Sequence, residues 1–82
     1  MKKAKIYSSA ALKKQIMAEA KSLNIAEHWA EIIANKTVQH VDAWVKNRSI
    51  VTETDIDRIA CSKLQELNPD LAYIHQNHGK IL

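Results

Sequence analysis

The sequence predicts an all-α protein, a compact bundle of four helices with a short extended connector before the third. Three observations carry that expectation. One glycine and one proline among 82 residues are too few for the tight turns that hairpin-rich sandwiches and barrels demand. Apolar residues recur three and four positions apart along most of the chain, which is the period of amphipathic helices rather than of strands. Apolar residues make up 46% and charged residues 26%, ordinary globular values, and a chain this short supports one core but not two. Residues 1–82 are therefore read as one domain, with a basic segment over 1–7 and a helical bundle over 8–78.

The first helix starts at Ser8 or Ser9, either of which can cap it, and carries Leu12, Ile16, Ala20 and Leu23 on one face before ending between Ser22 and Asn24. The second is the strongest signal. Ile25, Trp29, Ile32, Ile33, Val38, Val41, Trp44 and Val45 form a broad apolar stripe uninterrupted by proline or glycine. This helix is expected to be the spine of the core, the middle two helices supplying most of its apolar surface. It should fail at Asn47-Arg48-Ser49, leaving Ser49-Ile50-Val51 as the extended connector.

Thr52-Glu53-Thr54-Asp55 reads as a helix start: a threonine oxygen can accept from an early backbone amide, and acids suit the positive end of the dipole. Ile56, Ile59, Ala60, Lys63, Leu64 and Leu67 continue the third helix on one face. Asn68-Pro69-Asp70 stops it and starts a fourth, with Asn68 as cap and Pro69 at the first helical position, where its missing amide costs nothing. Leu71, Ala72 and Ile74 belong to that last helix, which should end at His78-Gly79.

Several chemistries find no support. No apolar run approaches the roughly 18 residues of a membrane span. Cys61 is the only cysteine, so neither an intrachain disulfide nor a cysteine-based zinc site is expected, and a reducing, cytoplasmic setting fits. Lys5, Lys13 and Lys14 interrupt the amino-terminal stretch, against a secretory signal. His75 and His78 could share a helical face, but two ligands are too few, and His28 and His40, 12 residues apart on another helix, do not complete a set. Cys61 reads as a small packing residue. Asp55 and Asp57 point about 200° apart on a helix and cannot share a proton. No glycine-rich loop and no triad is visible, so no catalytic residue, no metal and no enzyme are expected.

What remains points to binding. The formal net charge is only +3, but Lys2, Lys3, Lys5, Lys13 and Lys14 all precede the first acid, Glu19, making a basic start that is either a solubilising tail or a phosphate-contacting patch. Trp29 and Trp44 stand 15 residues apart, close to four turns, and so near the same stripe. They are either core anchors or a surface for a protein partner.

Read in order, Tyr7-Ser8-Ser9-Ala10-Ala11-Leu12-Lys13-Lys14-Gln15-Ile16, the helix from Ala26 to Val45, Val51-Thr52-Glu53-Thr54-Asp55-Ile56, and Pro69-Asp70-Leu71-Ala72-Tyr73 resemble an ATP-cone over residues 6–78. In that family the helices lie beneath a small β lid, and adenine nucleotides bound between the two set the oligomeric state of ribonucleotide reductases or of their repressor. The resemblance implies a lidless cone that binds ATP or dATP at Tyr7 and Thr52. Ala11 occupies the position of the family's first-helix lysine, with Lys13 and Lys14 as neighbouring substitutes, and Asp57 brings a negative charge beside that site. Arg48-Ser49-Ile50-Val51-Thr52-Glu53-Thr54-Asp55-Ile56 is also similar to the loop and third-helix start of a histone fold, which implies a small basic dimer on DNA backbone phosphates. The expected function is therefore a non-catalytic regulatory or interaction module, associating with itself or another protein chain and contacting nucleotide. A DNA-binding dimer and a purely structural partner subunit are the alternatives.

Overall fold

The computed structural model describes residues 8–48 and 51–77. Tyr7 and the rest of the basic segment, Ser49-Ile50 of the connector and the expected stop at His78-Gly79 lie outside them. Four helices fill most of what is described: α1 (Ser9–Ser22), α2 (Glu27–Lys46), α3 (Glu53–Leu67) and α4 (Pro69–Asn77).

Their ends follow from local hydrogen bonding. Ser8 caps α1, its hydroxyl accepting from the Ala11 amide at 3.2 Å. The Leu23 amide closes the other end on the carbonyls of Ala20 and Lys21. Asn24 turns the chain at a φ of 60°, the left-handed region in which asparagine is better tolerated than most residues. Ala26, at the head of α2, offers no side-chain cap, so that helix relies on packing. Thr52 heads α3 in extended conformation and forms a reciprocal capping box. Its hydroxyl accepts from the Asp55 amide at 3.1 Å, and the Asp55 carboxylate accepts from the Thr52 amide at 3.3 Å. Asn68 serves two helices: its amide donates to Leu64 at the end of α3, and its side-chain oxygen accepts from the Leu71 amide in the first turn of α4. Pro69 stands in that turn, where no partner for its nitrogen is required.

The helices close into a ring in which α1 packs on α2 and α4, and α3 packs on α2 and α4, while the diagonal pairs do not meet. Neighbouring α1 and α2 run antiparallel, since Ser9 donates to Asp42 at 2.8 Å while Lys13, further along α1, lies 3.8 Å from Glu31, further back on α2. Contacts between Cys61 and Ala72 and between Asp57 and His75 show the same sense for α3 and α4.

The middle two helices supply most of the core's apolar residues, as expected. Ile16 of α1, Leu64 of α3, Leu71 of α4 and Val41 of α2 are the large aliphatics with no exposed surface, whereas α2 otherwise contributes Ala30, Ile33, Ala34 and Thr37. The long helix lines the core with both small residues, Ala30, Ala34 and Thr37, and aliphatic ones, Ile33 and Val41. Trp29 leaves the stripe altogether and is 60% exposed. Relative to Thr37, Trp44 lies within about 20° around the helix while Trp29 lies about 80° away, which is why Trp44 is half-buried and Trp29 stands in solvent.

Candidate functional site

The sequence-predicted nucleotide positions fall on separate elements. The Thr52 hydroxyl is committed to the capping box of α3, so any ligand there would compete with a helix cap. Its partner Asp55 is held below the ordinary carboxylate value of 3.8, first by the hydrogen bond from the Thr52 backbone amide and then by its side-chain bonds to Arg58 and Thr52. The resulting negative charge sits in the first turn of α3, beside Glu53, and opposes an anion at that end. Lys13 reaches to Glu31 at 3.8 Å and Lys14 is exposed on α1. Because α1 and α3 are diagonal in the ring, the two lysines and Thr52 are not brought together. Tyr7 lies outside the described residues.

Among the described residues, basic and acidic side chains nearly balance, with eight Lys or Arg against nine Asp or Glu. The excess positive charge resides in Lys2, Lys3, Lys5 and Lys80. His28 and His40 are exposed on α2, and no group of three or more His, Cys, Asp or Glu among the described residues is placed to hold a metal ion.

Trp29 and Trp44 are also kept apart. Both lie on α2, about 22 Å from one another along its axis. Arg48 covers the Trp44 ring, its guanidinium carbon 4.6 Å from the ring centroid, a cation–π contact that shields the ring from other partners. Among the described residues, the tilted ring of His28 lies beside Trp29, at 6.5 Å between centroids. Of the two, Trp29 is the residue free to meet another surface.

The constellation with most chemistry was not foreseen as a unit. Glu19 of α1 and His75 of α4 are both buried, with His75 Nδ1 2.8 Å from Glu19 Oε1. A carboxylate only accepts, so Nδ1 carries the hydrogen. Gln15 donates to the other carboxylate oxygen at 3.0 Å, one turn earlier on α1. His75 Nε2 is buried with no hydrogen-bond partner and lies 3.8 Å from Asp57 Oδ1 on α3. Three helices thus converge on one imidazole. A signal for it exists in the sequence: Glu19 falls on the apolar face with Leu12, Ile16 and Ala20, and His75 falls on the face with Leu71 and Ala72. A charged residue in an apolar stripe implies a buried partner.

Cys61 lies half-buried beside this cluster, its Sγ 3.9 Å from the Ala72 carbonyl. Burial pushes its thiol above the ordinary 9.0, and the charges of Asp57 and Glu19 push it further. The thiol therefore stays protonated at neutral pH, the opposite of what a nucleophile requires. The imidazole faces Glu19 of α1 on one side and Asp57 of α3 on the other, and so links α4 to both helices.

Two of the open cavities among the described residues flank these helices. One, of about 670 Å³, follows the outer side of α3 past Asp57, Cys61 and Gln65 to Gln76. The other, of about 530 Å³, lies where the last turns of α1 meet the start of α2. No family model, curated protein or solved structure matches the chain.

Proposed function

We propose that this chain is a non-catalytic, ATP-cone-like regulatory and interaction module that works by self-association through the Trp29 side of α2. The observation that carries the reading is the 60% exposure of Trp29, the largest side chain of the bundle's longest helix standing in water with a histidine ring beside it. Indole is a costly group to leave exposed and the residue type most enriched at energetic centres of interfaces. Trp44, capped by Arg48, plays the lesser part. Adenine-nucleotide contact at Tyr7, Lys13, Lys14 and Thr52 belongs to the same reading as a regulatory input. Its support is the order and spacing of the helices and the exposure of Lys14, against the engaged hydroxyl of Thr52.

Sedimentation of the intact chain over a wide concentration range, with and without ATP or dATP, tests both parts. A concentration-dependent dimer that Trp29→Ala abolishes supports the interaction module, and a monomer at every concentration removes it. Amide NMR shifts confined to the first turns of α1 and to Thr52 on adding nucleotide support the regulatory input, whereas an unchanged spectrum at millimolar nucleotide leaves a module for protein contact alone. No described helix is long and apolar enough to cross a membrane.

A further inference from the structure

We propose that the self-association is reciprocal, with Trp29 of each copy seated in the cavity between α1 and α2 of the other. This rests on the self-association reading above and specifies its site. The cavity measures about 530 Å³ and is lined by Met17, Ala18, Ile25 and Ala30, with Lys21 and Glu27 among its charged residues. That volume lies within the range of pockets that enclose small ligands, and its apolar lining suits an indole. Trp29 does not line the cavity but stands next to Ala30 and four residues after Ile25 on the same stretch of chain. Side chains of a helix lean toward its N-terminus, which carries the ring toward the Ile25 end of α2.

A knob and a hole displayed close together at one end of a molecule complete one another under a two-fold axis, each copy giving and receiving one tryptophan. Charge supports the same occupant. Lys21 and Glu27 carry opposite charge and are both exposed, so a second copy turned through the two-fold can set Lys21 against the partner's Glu27 on both sides of the contact. An interface built on one anchor per copy sits at the small end of the size range, and the dimer is accordingly a weak, reversible one.

Two lesions separate knob from hole. Trp29→Ala removes the knob and leaves the cavity, while Ala18→Arg fills the cavity and leaves the knob. Ala18 is exposed on α1 and arginine is a good helix former, so the second variant keeps its fold, which far-UV circular dichroism verifies. Sedimentation equilibrium from about 1 µM to about 1 mM is expected to show each variant associating at least about tenfold more weakly than wild type. An equimolar mixture of the two regains association, because the mixed dimer keeps one intact tryptophan facing one intact cavity. Lys21→Glu alone weakens the dimer, and adding Glu27→Lys to it restores affinity.

The inference is overturned if Ala18→Arg associates like wild type, or if the mixture shows no recovery although both variants are folded. In those cases a dimer sensitive to Trp29→Ala would still leave the self-association reading intact. A wild-type chain that is monomeric throughout, or a dimer indifferent to Trp29→Ala, takes down that reading and the reciprocal seat together.

Discussion

Removing either member of the buried Glu19–His75 pair should destabilise the bundle severely, while removing both should cost far less than the two losses added. The side chains are 6% and 1% exposed and 2.8 Å apart, so neither water nor salt can replace a deleted partner. His75→Leu takes from Glu19 Oε1 its histidine partner and leaves Gln15 on the other carboxylate oxygen. Glu19→Leu takes from His75 Nδ1 its acceptor while Nε2 is already without a hydrogen bond. Breaking a buried pair from one side costs about 3–5 kcal/mol. A domain of this size has a total stability of roughly 4–12 kcal/mol at the usual per-residue values, so each single variant is expected to sit near the edge of folding, with a melting temperature about 15–30 °C lower. The double Leu variant replaces the pair by apolar side chains inside a cluster that already holds Ile16, Leu64 and Leu71. It should recover most of the loss, giving a coupling of about 2 kcal/mol or more. Urea unfolding followed by circular dichroism and tryptophan fluorescence measures all four corners of the cycle. Single variants that each lose less than about 1 kcal/mol, or losses that simply add, would refute the view that this pair locks α1 to α4.

Three further outcomes are expected. Thr37→Val should stabilise the protein by about 1–2 kcal/mol in the same urea assay, because the Thr37 hydroxyl is fully buried and has no hydrogen-bond partner, and valine keeps the shape without the desolvated oxygen. Thr52→Ala should cost about 1 kcal/mol through loss of the α3 cap. Asp55→Asn, rather than Thr52→Ala, should flatten the acid side of the stability profile, because the Thr52 backbone amide that chiefly lowers Asp55 is kept by alanine. Asp55 is held below 3.8 by the capping box, so its contribution is present above the unfolded value and is lost as pH falls through the lower folded one; thermal melts between about pH 5 and pH 2 on wild type and Asp55→Asn check the sign. Cys61 should alkylate slowly at pH 7 and accelerate only above pH 9.0, its ordinary value, since burial and two carboxylates hold the thiol protonated; fast labelling of the folded protein at neutral pH would contradict that.

The helices and their boundaries were largely legible because they are written in short-range chemistry. Ser8, Thr52, Asn68 and Pro69 occupy the capping positions their side chains suit, and a cap is decided by three or four consecutive residues. The stripe of α2 was legible as a stripe but not in its membership. Trp29 is as apolar as its neighbours, yet whether a residue at the margin of a helical face is covered depends on where the adjacent helices end.

The candidate sites divide in the same way. The role of Thr52 as a cap could be read directly from Thr52-Glu53-Thr54-Asp55. That it lies on a helix diagonal to the one bearing Lys13 and Lys14 could not. Glu19 and His75 are 56 residues apart, so although each stands out on an apolar face, neither identifies the other as its partner. What the sequence by itself determined is an all-helical chain with three well-marked starts, since periodicity and capping are local. Which faces turn inward, which tryptophan stays in water and which acid meets which histidine were decided only by the tertiary structure, because burial and pairing are properties of several helices packed together.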